Sequence, residues 1–208
     1  MILDRARRLL DPVLEIERSE DRDAALRAAL PHVPALGWTR AALAAGLQDA
    51  GGDPLLLDSL FPRGPIEAVE AWRDLADREM AGSVPADLAE RRIPARIRAL
   101  IALRLEQSAP HREALQRAAA LLALPWNAPS ALRIAARSAD AIWNAAGDQS
   151  ADLSHHTRRA TLAAIHASVV AFWLTDRSEG ARDTLAFLDR QLGRLARLQR
   201  QRRPARLA

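Results

Sequence analysis

Apolar residues recur every three or four positions along almost the whole chain, which is the spacing of amphipathic helices. Short segments rich in proline, glycine, aspartate or serine separate these runs, and such residues commonly cap or end helices. The pattern therefore predicts an all-α protein. Its predicted helices cover residues 2–16, 21–30, 39–50, 54–60, 65–80, 87–107, 110–124, 130–146, 157–176 and 179–199. The helix that begins near residue 87 is expected to be perturbed or restarted at Pro94.

The N-terminal part has the order of a helix-turn-helix, in which two helices are joined by a tight turn. Thr39 and Asp53 are predicted to cap two of these helices, and Gly51-Gly52 supplies the turn between them. The triplet Leu60-Phe61-Pro62, which ends the short third helix, resembles the TetR transcriptional regulators. That resemblance implies a TetR-like helical bundle with an N-terminal helix-turn-helix-like subdomain.

The distribution of charge argues against DNA binding by this subdomain. Residues 1–60 contain seven Arg and ten acidic residues, and residues 53–61 contain two Asp and no basic residue. Affinity for DNA depends on neutralisation of phosphates by Lys and Arg, and an acidic recognition helix repels the backbone. A ligand-responsive transcriptional regulator that binds DNA remains the alternative interpretation of the fold.

Composition excludes several chemistries and limits others. The chain has no Cys, so disulfides, thiol catalysis and thiolate metal sites are excluded. All 30 basic residues are Arg, which excludes Schiff-base chemistry. The net charge of +4 comes from residues 190–208, which hold seven Arg and no acid. The longest nearly apolar run, 162–174, is shorter than the roughly 20 residues that span a membrane, so we expect a cytoplasmic protein or a peripheral one.

A polar loop leads into the most apolar predicted helix over residues 147–162, GDQSADLSHHTRRATL. This stretch resembles the signature of the ninth coenzyme Q biosynthesis protein and its bacterial relatives. The segments GWTRAAL and LFPRGPIEAV are also similar to that family. The resemblance implies a lipid-binding accessory protein of ubiquinone biosynthesis that binds prenylated quinone intermediates and presents them to demethoxyubiquinone hydroxylase. It implies no catalysis and no cofactor.

The same resemblance implies roles for particular residues. Arg158 and Arg159 would meet a lipid head group, since a guanidinium suits a phosphate. Contact with the partner hydroxylase would fall on Asp152, Leu153, His155 and His156, and the two histidines stand where the family has Trp-Tyr. The apolar helices would enclose a prenyl tail, although the same residues are also suited to a solid core. The expected pocket is formed by Trp72, Ile101, Leu122, Ile142, Trp143, Leu162, Ile165, Val169, Phe172 and Trp173.

A metal site is weakly supported. The candidate ligands are close in sequence: Asp148, Asp152, His155, His156 and His166. Adjacent histidines, however, point about 100° apart on a helix and do not readily bind one ion. The three-ligand spacing of catalytic zinc motifs is also missing. We therefore expect a capped helix start at this position rather than a metal centre.

The C-terminal helix carries leucines at alternating spacings of three and four, the pattern of a short coiled-coil seam. They are Leu185, Leu188, Leu192 and Leu195. The seam predicts a homodimer, and packing within its own bundle is the alternative. By domain, we expect an N-terminal subdomain over 1–80, a lipid-binding bundle over 81–199 and an Arg-rich tail over 200–208. The arginines near the C-terminus predict peripheral contact with the inner membrane of a bacterium.

Overall fold

The computed structural model describes residues 16–147 and 154–201, and it describes side chains for residues 16–147 and 157–197. Within these residues the regular secondary structure is helical. The α-helices are α1 Glu20–Ala29, α2 Val33–Leu36, α3 Arg40–Asp49, α4 Leu57–Leu60, α5 Pro65–Gly82, α6 Ile93–Ser108, α7 Arg112–Leu122, α8 Ala128–Ala145, α9 Ser154–Thr175 and α10 Arg182–Gln201. The predicted helix over 2–16 and the end of the Arg-rich tail lie outside the described residues.

The described chain forms two compact units. Unit 1 contains residues 16–76 and 111–134, and therefore α1 to α4, the first part of α5, α7 and the start of α8. Helices α1 and α3 pack closely because Gly46 has no side chain: a Cβ there would lie 2.4 Å from the backbone nitrogen of Ala29. The apolar core of unit 1 includes Leu26, Val33, Trp38, Leu43, Phe61, Val69, Trp72 and Leu115.

Unit 2 contains residues 77–110, 135–147 and 154–201 among those described. Helix α10 packs against both α9 and α6. Phe172 of α9 stacks on Phe187 of α10, with ring centroids 4.8 Å apart. The buried apolar residues of unit 2 include Met80, Ile97, Leu100, Ile101, Leu105, Ala139, Ile142, Leu162, Val169, Trp173 and Leu188.

The two predicted N-caps of the helix-turn-helix segment are confirmed. The Thr39 hydroxyl accepts the backbone N–H of Ala42 at 3.3 Å, and the Asp53 carboxylate accepts that of Leu55 at 2.9 Å. Each bond satisfies an N–H that has no partner in the first turn of its helix.

Two segments before α5 differ most from the predicted helices. The predicted helix 54–60 begins as a 3-10 turn, Pro54–Leu56, before α4. The short helix α2 was not predicted. Of the two alternatives predicted at Pro94, a perturbed helix or a restarted one, the restart is confirmed: the 3-10 turn Ala86–Glu90 precedes α6, and Pro94 lies in the first turn of α6, where a missing N–H costs nothing.

Candidate functional site

Helix α8 supplies unit 2 with an apolar face that ends at the polar loop. Ala139, Ile142 and Ala146 are fully buried, and Trp143 is 7% exposed. Three of these four positions are separated by three or four residues, so they lie on one side of the helix. Gly147 follows with a positive φ of 78°, the conformation of a helix C-terminal cap for which glycine is favoured.

Arg96 fixes the end of α8. Its Nη1 donates to the carbonyl of Ala146 at 3.0 Å, while Nε and Nη2 donate to the carbonyls of Arg91 and Ala89 at 2.7 and 2.5 Å. Three carbonyls from two segments of unit 2 are thus held by one guanidinium. Arg96 was not predicted, because nothing in sequence connects it with a residue fifty positions later.

Helix α9 brings the second apolar face of unit 2. Leu162, Ile165, Val169 and Trp173 are all buried, and the spacing of three and four places them on one side of the helix. His166 is also buried, at 5% exposure. The predicted pocket residues on this helix therefore share a face, with Phe172 beside it and partly exposed.

The predicted pocket residues are divided between the two units. Ile101, Ile142 and Trp143 belong to unit 2, together with all of those on α9. Trp72 and Leu122 belong to unit 1, where the Trp72 ring lies 5.1 Å from that of Trp38 and Leu122 is partly exposed. The set as predicted is thus not a single cluster within one unit, and its role in binding remains a prediction.

The arginine pair lies in the first turns of α9. Arg159 Nη1 donates to the Asp140 carboxylate at 2.5 Å, and Nη2 donates to the Asn144 side-chain oxygen at 3.2 Å. The Arg159 side chain is 20% exposed, and Arg158 is partly buried. The guanidinium of Arg159 is therefore oriented by α8, with one edge close to solvent.

Asp140 and Asn144 were not predicted as site residues. They are four positions apart on α8, so their side chains lie on one face, one turn from each other. Two polar residues at this spacing, directly before the polar loop that begins at Gly147, could have indicated a site from the sequence. The spacing did not identify Arg159 as the partner, because the contact joins residues up to nineteen positions apart.

Of the four residues predicted to meet a partner protein, Asp152 and Leu153 lie outside the described residues. His155 and His156 belong to the first turn of α9, and their side chains are likewise not described. Across the part of the chain that the structure describes, no group of three or more His, Asp or Glu side chains is arranged to hold a metal ion.

The four leucines of the α10 seam differ in how deeply they are buried. Leu188 is fully buried within unit 2, whereas Leu185, Leu192 and Leu195 retain partial exposure. The buried member packs within its own chain. The other three leave apolar surface, and the homodimer remains a prediction.

Hydrogen bonds to one carboxylate join the end of α9 to the start of α10. The Thr184 hydroxyl donates to Asp176 at 2.5 Å and its backbone N–H donates at 2.9 Å, while the N–H of Ser178 donates at 2.8 Å. The Thr184 hydroxyl, followed by the Ser178 groups, holds the pKa of the Asp176 carboxyl well below its usual value. The carboxylate therefore stays charged and fixes the turn between these helices.

The helix-turn-helix segment of unit 1 presents leucine and aspartate at its recognition position. Leu55 and Leu56 are 86% and 51% exposed. Asp58 of α4 pairs with Arg40 at 2.5 Å, and the hydrogen bond from Arg40 lowers the pKa of the Asp58 carboxyl. One of the few basic residues in this segment is thus engaged with a carboxylate.

No described helix combines the length and the apolar character that crossing a bilayer requires.

The fold defines the class of this protein as a TetR-like helical protein. The crystal structure of the TetR transcriptional regulator from Nitrosomonas europaea ATCC 19718 matches it with a TM-score of 0.64 and 26% identity, over 84% of this chain and 97% of that chain. The all-α, TetR-like fold predicted from the sequence is confirmed.

The sequence defines the family within that fold. Residues 128–199 match the family model COQ9, a region that contains α8, α9 and nearly all of α10. The Ubiquinone biosynthesis protein COQ9, mitochondrial, of Drosophila melanogaster is 32% identical over 179 residues, which are 84% of this chain and 55% of that protein. The Homo sapiens protein of the same name is 31% identical over 175 residues, covering 80% of this chain and 55% of its own length.

The Schizosaccharomyces pombe (strain 972 / ATCC 24843) protein of that name is 32% identical over 170 residues, covering 80% of this chain and 66% of its own length. The chain belongs to the COQ9 family. It spans about half the length of the Drosophila and human relatives that it matches.

Proposed function

We propose that this chain is a lipid-binding accessory protein of ubiquinone biosynthesis. It binds a prenylated quinone precursor and presents it to demethoxyubiquinone hydroxylase, and it makes or breaks no bond itself. The observation that carries the proposal is the family match over residues 128–199, the region that contains the apolar faces of α8 and α9. Its COQ9 relatives are named as ubiquinone biosynthesis proteins.

Burial of an isoprenoid tail supplies the driving force. Each methylene removed from water contributes about 0.8 kcal/mol, so several isoprene units suffice for tight binding. The α8 face contains the small residues Ala139 and Ala146, both fully buried, so the tail would enter between this face and the side chains that now cover it. The tail would lie against this face and against the aliphatic residues of α9.

The arginine pair would hold the charged part of a bound phospholipid at the start of α9. Arg159 presents a guanidinium whose Nη atoms face Asp140 and Asn144, and a phosphate would share or replace those acceptors. The protein carboxylate therefore competes with the lipid. The competition predicts that head-group affinity is limited by Asp140.

Partner contact is proposed for Asp152, Leu153, His155 and His156, with the hydroxylase as the partner. Peripheral contact with an anionic membrane surface is proposed for the Arg-rich end of the chain, at about 1 kcal/mol per Arg near the surface. The partly exposed leucines of α10 are proposed to form a homodimer contact.

The competing function is a DNA-binding regulator, which the TetR-like fold favours. The exposed Leu55 and Leu56 and the Arg40–Asp58 pair oppose it, because phosphate contacts need free basic side chains. A salt-dependent shift of a duplex DNA probe at submicromolar protein would support the regulator. We expect none.

Asp140→Asn tests the lipid function at the arginine pair. The substitution removes the competing charge, so we expect several-fold tighter binding to vesicles of phosphatidylglycerol, measured by cosedimentation. Asp189→Asn is the matched control, since Asp189 pairs with Arg98 on an exposed part of unit 2, at 2.6 Å. If both substitutions strengthen vesicle binding equally, net charge alone explains the result and the proposed head-group role of Arg159 is wrong.

A further inference from the structure

The indole N–H of Trp143 is buried without a hydrogen-bond acceptor. Trp143 is 7% exposed, and its Nε1 has no partner among the described residues. Trp38 of unit 1 shows the usual arrangement: its Nε1 donates to the carbonyl of Ala114 at 2.9 Å. Buried Trp N–H groups normally find such a partner, and exceptions in native proteins call for an explanation.

The side chains nearest Trp143 in sequence on α8 do not accept its N–H. One turn away in each direction, Ala139 and Ala146 are fully buried and apolar. The polar neighbours Asp140 and Asn144 already accept hydrogen bonds from Arg159.

Unit 2 contains a second buried N–H donor without an acceptor. The Nε of Arg159 is buried without a partner, although both Nη atoms of that side chain are paired. Arg159 donates to Asn144, the residue that directly follows Trp143. The Trp143 N–H on α8 and the Arg159 Nε–H on α9 are thus two buried donors of unit 2 that have no acceptor among the described residues. An oxygen-bearing ligand would supply what both lack.

We propose that Trp143 donates its indole N–H to an oxygen atom of the bound ligand and so selects an oxygen-bearing head over a plain hydrocarbon. This rests on the proposed lipid-binding function and deepens it. The acceptor chemistry is that of a neutral carbonyl or ether oxygen. A quinone ring carries such an oxygen, and so does the ester of a phospholipid.

The variant Trp143→Phe tests this, because it keeps an aromatic ring and removes the N–H donor. It also removes part of the indole ring, and the loss of ring area is reported by a probe without oxygen. The probes are ubiquinone with a decyl tail, decylbenzene, which lacks the oxygen atoms, and a short-chain phosphatidylethanolamine. We expect the variant to bind the quinone about three- to ten-fold more weakly, the loss of one hydrogen bond. Binding of decylbenzene should fall less than binding of the quinone, because decylbenzene senses only the lost ring area. A loss beyond that of decylbenzene with the quinone alone identifies the ring oxygen, and such a loss with phosphatidylethanolamine alone identifies the ester.

Trp38→Phe is the matched control, since it removes a paired indole N–H. It should lower the unfolding temperature of the ligand-free protein more than Trp143→Phe does, because it also leaves the Ala114 carbonyl unpaired. A larger drop for Trp143→Phe would show that its N–H has a partner without ligand, and would overturn the inference.

Failure of the inference and failure of the function are distinguishable. If the unaltered protein binds none of the three probes, the proposed function is wrong and the inference falls with it. If it binds the quinone or the phospholipid, and Trp143→Phe binds every probe as the unaltered protein does, only the inference is wrong. An equal loss for all three probes would also contradict it, because the ring and not the N–H would then be responsible.

Discussion

Glu70 of α5 is a carboxylate that is almost entirely inside unit 1, at 1% exposure. Arg133 donates to it at 2.7 Å, and Arg63 donates at 3.3 and 3.4 Å. Burial raises the pKa of the Glu70 carboxyl, but hydrogen bonds from Arg133, Ser130 and Arg63 outweigh it and lower the pKa from 4.5 to about 2. The charged form is therefore the one that the fold stabilises.

Glu70→Gln should remove this stabilisation. A folded-state pKa below the unfolded value contributes stability above pH 4.5, which is lost as the pH falls towards 2. The difference corresponds to about 3 kcal/mol at neutral pH. Urea unfolding should show that the variant has a lower free energy of unfolding than the unaltered protein at pH 7. The difference between the two proteins should be smaller at pH 3.

Glu90→Gln, which alters an exposed carboxylate, is the control and should change the free energy of unfolding little at either pH. A Glu70→Gln deficit that is the same at pH 7 and pH 3 would contradict the assignment of the charged form to Glu70.

Residue roles that depend on sequence neighbours could be predicted, and roles that depend on residues far away in the sequence could not. The caps at Thr39 and Asp53 were predictable because a cap involves only the next two or three residues. The Glu70 partner Arg133 is 63 positions away, and no periodicity connects them. The same reason explains why Arg159 could be singled out while its acceptors on α8 could not.

At the scale of elements, helix packing in unit 1 depends on a glycine inside α3. Gly46→Ala would place its Cβ within 2.6 Å of three atoms of Ala29, two of them backbone atoms that cannot rotate away. We expect a loss of about 1 to 3 kcal/mol of unfolding free energy from this overpacking. Urea denaturation measures it.

Gly193→Ala is the matched control within a helix, because a Cβ at Gly193 of α10 meets nothing within 4 Å. This change should stabilise the protein by up to about 1 kcal/mol through helix propensity. If Gly46→Ala were also stabilising, α1 and α3 would not be as close as described.

Helix positions were predictable because apolar spacing and the Pro and Gly residues act locally. The short helix α2 was missed since its four residues are too few for a periodic pattern. Both a perturbed and a restarted helix were predicted at Pro94, because proline is compatible with either. Shared faces on α8 and α9 followed from spacing. Which face of one helix meets which face of another depends on contacts that the sequence does not encode locally.

At the scale of the molecule, the fold and the family are established and the function is proposed. The TetR-like fold was predictable from the helix-turn-helix order and its aromatic-proline turn, and the family from the stretch that begins at Gly147. The pocket was not predictable to the same degree, because buried apolar residues serve a solid core and a lipid site equally well. Trp72 and Leu122 illustrate this, since they belong to unit 1 while the other predicted pocket residues belong to unit 2.

The central claim is that the purified protein carries an isoprenoid or phospholipid ligand. Mass spectrometry of organic extracts from the full chain, purified without added lipid, measures this directly against a mock purification from the same cells. We expect a prenylated quinone or a phospholipid at a level comparable with the protein concentration. Repeated extracts that contain no more of either than the mock sample would contradict the account.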